Sequence, residues 1–191
     1  MKVGISPSLN EYDVLFKEMV INHAHDAEIN QAIAKIKQGK DEYVLAALCN
    51  KALTWYAIGI AHYMEANCDF TAHIHCGDSL KHRTVNEPIG RPLADPNAGK
   101  GMAYTWQESC LDWMIMKGWN KWKDWGIPDI LYRLEANNGF GYRKREVPTP
   151  YLWSYTSIYV KGKYVSDGKF DENAVSKQVG AAILLKILSS I

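Results

Sequence analysis

The sequence predicts a single, mainly α-helical domain with a small lobe that is a β-hairpin or an irregular loop. Apolar residues recur at helical spacing before residue 66 and again after residue 104. Between residues 68 and 101 this periodicity is lost, and glycine and proline occur throughout. The chain has 191 residues, 47% of them hydrophobic and 23% charged, so it can bury a core and is not predominantly disordered. We expect one domain over residues 1–191, with residues 1–50 as a helical extension packed on it.

The first half of the chain predicts four helices. Apolar positions with a helical period predict helices over residues 11–21 and 26–38. A third helix is expected after a cap near Asp41, and Thr54 caps a fourth. The fourth helix has apolar residues on every side, which is typical of a helix in the middle of a fold.

The second half contains clear local start and stop signals. Thr105 and Glu108 form a capping-box pattern, in which each side chain accepts a hydrogen bond from the other's backbone amide. Pro128 is placed as a first-turn proline and predicts another helix. The Asp-Gly pair at 167–168 predicts a turn, and residues 172–188 predict a final amphipathic helix.

Charge and hydropathy exclude several classes of partner. The 22 basic and 21 acidic residues give a net charge of +1, so we expect no nucleic-acid partner. The uncharged stretch at residues 52–64 is shorter than the roughly 17–25 residues that a membrane-spanning helix needs, so we expect no membrane span. The first residues lack a signal-peptide pattern, which predicts synthesis in the cytoplasm. The 22 aromatic residues could form a core or line a groove that stacks sugars.

The four cysteines lack the CxxC and zinc-type spacings, and we expect free, mostly buried thiols. One group of side chains could bind a metal ion: His62, His73, His75 and Cys76. We prefer the alternative, in which the histidines form hydrogen bonds with the backbone or with Asp78. We expect no metal and no cofactor.

Glu65 and Asp78 are the candidate catalytic residues. Glu65 lies at the end of the apolar fourth helix, where burial should raise the pKa of its carboxyl and allow it to donate a proton. Asp78, in wetter surroundings, would stay ionised. Two carboxyl groups in different environments are the usual equipment for glycoside hydrolysis. The alternative for Glu65 is an acid that points to water at a helix end.

These residues resemble motifs of the lysozyme-like superfamily, which includes goose-type lysozymes, phage muramidases and lytic transglycosylases. In that superfamily a catalytic Glu ends a buried helix and is followed by a small polar residue and Phe, as in residues 65–70. Asp78 lies where goose-type enzymes carry a second acid, and Asp78 with Thr84 repeats the Asp–Thr interval of phage muramidases. Residues 135–143 (Glu-Ala-Asn-Asn-Gly-Phe-Gly-Tyr-Arg) are similar to the segment that lines the glycan groove.

The resemblance is closer to a group of phage and bacterial peptidoglycan hydrolases and covers residues 55–178. Tyr-Leu-Trp-Ser at 151–154 and Lys-Gly-Lys-Tyr-Val-Ser-Asp-Gly at 161–168 are among its marks. The chain departs from the group at three positions. Small or amide residues are usual at the positions of Cys68 and Cys76, and a Tyr is usual at the position of Asn137, before Asn-Gly. It also lacks the Gly-Leu-Met-Gln segment of transglycosylases.

The resemblance implies a lysozyme-like α+β fold, with the hairpin lobe beside a catalytic cleft. It also implies an N-acetylmuramidase that cleaves the β-1,4 bond between N-acetylmuramic acid and N-acetylglucosamine. Glu65 would be the general acid, and Asp78 would position or activate water. Because Asp78 follows Gly77 in a predicted turn, we expect the two carboxyl groups to lie about 6.5–9.5 Å apart, as an inverting mechanism requires. The expected substrate contacts are Thr84, Asn138, Tyr142, Tyr151 and Trp153.

Two alternatives stay open: a lytic transglycosylase that uses Glu65 alone, and a non-catalytic glycan-binding or structural protein. The expected partner is the peptidoglycan glycan strand. We expect a monomer that another factor releases to the cell wall or periplasm.

Overall fold

The fold was analysed in a computed structural model that describes residues 3–94 and 103–191. In these residues a mainly helical architecture is confirmed, together with a two-stranded antiparallel sheet. The α-helices are α1 (Leu9–Glu18), α2 (Asp26–Gln38), α3 (Lys40–Ala47), α4 (Trp55–Ala66), α5 (Trp106–Met116), α6 (Ile127–Asn138), α7 (Pro150–Trp153) and α8 (Ala181–Leu188). The strands are β1 (Lys163–Ser166) and β2 (Lys169–Asp171), with Lys163 opposite Asp171.

The chain divides into two compact units. The terminal unit combines Met1–Ile33 with Trp125–Ile191, and the central unit is Ala34–Asp124. The terminal unit contains α1, the first part of α2, α6 to α8 and the hairpin. The central unit contains the end of α2, α3 to α5 and the irregular segment after α4. The expectation of one domain with an N-terminal extension stays a prediction.

Helix α4 is the buried centre of the central unit. Seven of its twelve residues are buried, and they lie on all sides of the helix. A Cβ atom added at Gly59 would lie 2.7 Å from the Ile36 side chain and 3.0 Å from Tyr43, so α4 approaches its neighbours closely at this glycine. The expectation of a helix in the middle of a fold is therefore confirmed.

A buried ion pair organises the terminal unit. Glu135 of α6 and Arg143 are both 2% exposed, and their side chains are joined by two hydrogen bonds of 2.8 and 2.9 Å. Tyr12 of α1 donates to the same carboxylate at 2.7 Å. Arg143 also donates to Glu11 of α1 at 2.7 Å. These contacts connect α1, α6 and the chain that follows α6. These contacts give Glu135 a structural role.

Of the two possibilities predicted for residues 68–101, a hairpin or an irregular loop, the described residues form the irregular loop, with turns and one isolated bridge between Ala72 and Ser79. The two-stranded sheet lies elsewhere, at 163–171. Residues 95–101 of that predicted lobe lie outside the described residues. The Asp-Gly turn is confirmed as the turn of the β1–β2 hairpin.

The last helix begins at Ala181 instead of residue 172. Residues before it are fixed in an irregular path, since the Tyr159 hydroxyl accepts from the Ser176 amide at 3.2 Å. Gly180 lies against the backbone of α7, where an added Cβ would be 2.5 Å from the Leu152 oxygen. These tertiary contacts therefore prevent residues 172–180 from forming the first part of the last helix.

Replacing Arg143 by Met should destabilise the terminal unit strongly, because it leaves the Glu135 charge buried without its partner. Breaking a buried pair typically costs about 3–5 kcal/mol of unfolding free energy. The matched control is Lys144→Met, which removes the same charge from an exposed neighbouring side chain and should change stability by about 0.5 kcal/mol or less. Urea denaturation measures both. Equal stabilities for the two variants would contradict the structural role of the pair.

Candidate active site

Glu65 is the penultimate residue of the buried helix α4 and is half-buried. The helix ends because Asn67 and Cys68 adopt left-handed conformations, with φ of 52° and 59°. The Asn67 amide donates to the Tyr63 carbonyl at 3.0 Å, which closes the last turn. Asn tolerates this region better than most residues, so the chain turns sharply away just after Glu65. The predicted position of Glu65 at the end of a buried helix is confirmed.

Asp78 and Glu65 both influence the thiol of Cys76. Cys76 forms a hydrogen bond with the Asp78 side chain, and the charge of Glu65 also acts on the thiol. Burial raises the pKa of Cys76, and the negative charges of Asp78 and Glu65 raise it further. Both candidate acids therefore act on the same thiol, which stays neutral.

Asp78 holds the loop that follows it. Its Oδ2 atom accepts the Val85 and Asn86 amides at 2.8 and 2.9 Å, and its Oδ1 atom accepts the Asn86 side-chain amide at 2.7 Å. These hydrogen bonds from Asn86 and Val85 hold the pKa of Asp78 well below its usual range. Such a carboxylate is ionised but is a weak base, so the contacts favour a bracing role over proton abstraction.

Thr84 is buried within the same loop and closes it by hydrogen bonds. It is 2% exposed, its hydroxyl donates to the Pro88 carbonyl, and its Oγ1 accepts from the Arg91 amide at 2.9 Å. The Thr84 amide donates to the Arg91 carbonyl at 2.8 Å. A sugar would have to displace these bonds to reach the hydroxyl. We therefore give Thr84 a loop-closing role and leave it out of the proposed substrate contacts.

The other four candidates belong to the terminal unit. Trp153 of α7 is 1% exposed, so its ring cannot stack on a sugar in this conformation. Tyr142 is also buried, and its hydroxyl accepts from the Tyr164 amide at 3.1 Å while its ring packs edge-on against the hairpin. Asn138 is exposed at the end of α6, and Tyr151 is half-buried. Only Asn138 and Tyr151 keep the surface that the predicted substrate role requires.

The side chains of His62 and His73 form buried hydrogen bonds in the central unit. The Trp106 indole donates to His62 Nε2 at 3.1 Å, and the same nitrogen lies 3.2 Å from the Asp69 carbonyl. Its Nδ1 lies 3.0 Å from the Tyr43 hydroxyl. Burial lowers the pKa of His62 to about 4. It also lowers the pKa of His73, whose Nε2 lies 2.9 Å from the His82 carbonyl. These rings are neutral structural groups.

His75, which the sequence suggests only as a candidate metal ligand, forms a network with Ser109 and Asp112 that sequence reasoning missed. His75 Nε2 lies 2.9 Å from the Asp112 carboxylate, and its Nδ1 lies 3.3 Å from the Ser109 hydroxyl. Asp112 also accepts from the Leu93 amide at 3.0 Å. Ser109 is fully buried, so this Ser–His–Asp arrangement ties the loop to α5 and offers no nucleophile to a substrate. Burial lowers the pKa of His75 to about 4.

The four cysteines form no disulfide and differ in burial. All four cysteines are free, but only Cys110 is buried, so the expectation of mostly buried thiols is wrong.

Over residues 3–94 and 103–191, no group of three or more His, Cys, Asp and Glu side chains is placed to hold a metal ion. In the same ranges, no helix has the length and apolar character to cross a membrane.

Comparisons with protein-family models, curated proteins and solved structures found no significant match to this chain.

The buried histidines predict acid-sensitive stability. An unfolded histidine has a pKa near 6.5, whereas those of folded His62 and His75 are about 4. Between these values the unfolded chain binds protons that the folded chain excludes, so stability is complete above pH 6.5 and falls as the pH is lowered. The slope should approach about 1.4 kcal/mol per pH unit for each histidine. Urea denaturation from pH 7 to pH 5 measures it, and a flat profile over that range would contradict the buried neutral state.

Replacing Asp78 by Asn should loosen the loop that the carboxylate holds. We expect amide hydrogen exchange at Val85 and Asn86 to accelerate by about tenfold or more, because a neutral amide accepts their hydrogen bonds less strongly. The matched control is Asp69→Asn, since Asp69 makes the same kind of contact with the Thr71 amide at 2.8 Å. That variant should leave exchange at residues 85 and 86 unchanged. Unaltered exchange in the Asp78 variant would remove the bracing role.

Proposed function

We propose that this protein is a peptidoglycan hydrolase that cleaves the β-1,4 bond between N-acetylmuramic acid and N-acetylglucosamine. Glu65 acts as the general acid and protonates the leaving glycosidic oxygen. The observation that carries the proposal is the position of Glu65, half-buried on the last turn of a helix that has seven of its twelve residues buried in the central unit. The sequence resemblance around residues 65–78 supports the same assignment.

The surroundings of Glu65 suit a proton donor. The helix behind it supplies a rigid apolar support, and the sharp exit through Asn67 and Cys68 leaves the carboxyl at the edge of that support. A general acid needs such a fixed position, because a proton must be delivered to one atom of the substrate. Asn138 and Tyr151 remain predicted substrate contacts.

The contacts of Asp78 favour a second candidate, a lytic transglycosylase. Both carboxylate oxygens of Asp78 already accept hydrogen bonds from Val85 and Asn86, which makes it a poor base for activating water. A transglycosylase needs no second protein acid, because the C6 hydroxyl of the muramic acid itself attacks the anomeric carbon. Glu65 would then serve as acid and subsequently as base.

Glu65→Gln is the direct test of the assignment. The amide cannot donate the required proton, so the rate of turbidity clearing of purified peptidoglycan should fall by about 10²–10⁴-fold. The thermal unfolding midpoint should be retained. Glu18→Gln, at an exposed position of α1, is the matched control and should keep full activity. A Glu65 variant that retains more than about a tenth of the rate would remove Glu65 from the acid role.

The products separate the two enzymes and the non-catalytic alternative. Hydrolysis adds one water to each cleaved bond, and NMR immediately after cleavage shows whether the new anomer is inverted. A 1,6-anhydro product, lighter by one water, identifies a transglycosylase. A wild-type protein that binds peptidoglycan without releasing fragments would contradict both enzymatic proposals.

A further inference from the structure

A basic pocket lies in the terminal unit beside the β1–β2 hairpin. Its cavity has a volume of about 510 Å³. The lining contains three cations and one carboxylate: Lys144, Arg145, Lys161 and Glu172. Val147, Gly162 and Phe170 complete it. We call this cavity the hairpin pocket.

Arg145 is held in place by neutral groups. Its guanidinium lies over the Phe170 ring, 4.4 Å from the centroid, and its Nε donates to the Tyr164 hydroxyl at 3.2 Å. Gly162, with φ of 96°, allows Phe170 to approach, since an added Cβ would be 2.9 Å from that ring. The guanidinium is therefore oriented through Nε and stacking. Among the described residues its two terminal nitrogens have no hydrogen-bond acceptor, so they can bind a ligand.

The positive charges of the hairpin pocket are not neutralised by ion pairs. Lys161 donates to the Asn173 side-chain oxygen at 2.7 Å, which is a neutral partner. Within the part of the chain that the structure describes, neither lysine of the pocket nor Arg145 forms a salt bridge. Glu172 contributes the single opposing charge. The pocket therefore has an excess of positive charge and donors that are available to an anion.

We propose that the hairpin pocket binds a phosphate group. Arg145 supplies a planar pair of N–H donors that matches two phosphate oxygens, and Lys144 and Lys161 supply ammonium donors for the remaining oxygens. Three cationic side chains exceed the needs of a carboxylate, which has only two oxygens and one charge. The phosphate can be free or part of a polymer of glycerol phosphate. This site does not depend on Glu65 or on glycan cleavage.

Titration of the ¹⁵N-labelled full-length protein with sodium phosphate, followed by NMR, tests the proposal. Sodium chloride at equal ionic strength and sodium acetate serve as parallel titrations. We expect saturable shifts of the Gly162 amide and the Arg145 Nε–H resonances with phosphate only. Short poly(glycerol phosphate) gives a second arm. Tighter binding of the polymer supports a wall-polymer source, and tighter binding of inorganic phosphate supports free phosphate.

Two variants and a control locate the binding. Arg145→Lys keeps the charge but loses the planar donor pair, and it should weaken phosphate binding by about tenfold. Lys161→Gln should weaken it by about threefold or more without altering the stacked arginine. Lys121→Gln, at an exposed position of the central unit, should bind as the wild type does. Shifts that do not saturate, that appear equally with chloride or acetate, or that are unaltered in both pocket variants would overturn the proposal.

Discussion

The burial of α4 is the constraint on which the candidate site depends. A helix that is apolar on every side must be covered by its neighbours, and only its ends reach polar surroundings. Glu65 lies at one of those ends, so the packing that stabilises the central unit also fixes the position of its carboxyl group. The left-handed residues Asn67 and Cys68 then turn the chain away. Core packing and the placement of the proposed acid are consequences of the same sequence pattern.

The segment after α4 has little regular structure and is held by polar side chains. Asp78 holds Val85 and Asn86, and Thr84 closes the loop onto Arg91. The network of His75 and Asp112 ties the end of that segment to α5. These side chains make the hydrogen bonds that a sheet would otherwise supply. Consequently, several residues whose types suggest chemistry serve the structure, and Glu65 is the acid to which we assign the chemistry.

Local signals predicted the parts of the fold that depend on a few adjacent residues. The Thr105–Glu108 capping box is present with both reciprocal hydrogen bonds, and Pro128 lies in the first turn of α6. Non-local contacts explain the failures. Trp153 resembles a groove residue in sequence, but the packing of α7 against α8 and α6 buries it. The Ser109–His75 contact joins residues 34 positions apart, and no sequence spacing indicates it.

In the proposed mechanism the side chain at position 65 faces the scissile bond. A crystal structure of the Glu65→Gln variant with a tetrasaccharide of alternating N-acetylglucosamine and N-acetylmuramic acid tests this position. We expect an intact glycan whose scissile oxygen lies within hydrogen-bond reach of the position-65 amide, about 2.6–3.2 Å or through one water. A glycan bound with its glycosidic oxygens beyond that reach would contradict the assignment of Glu65.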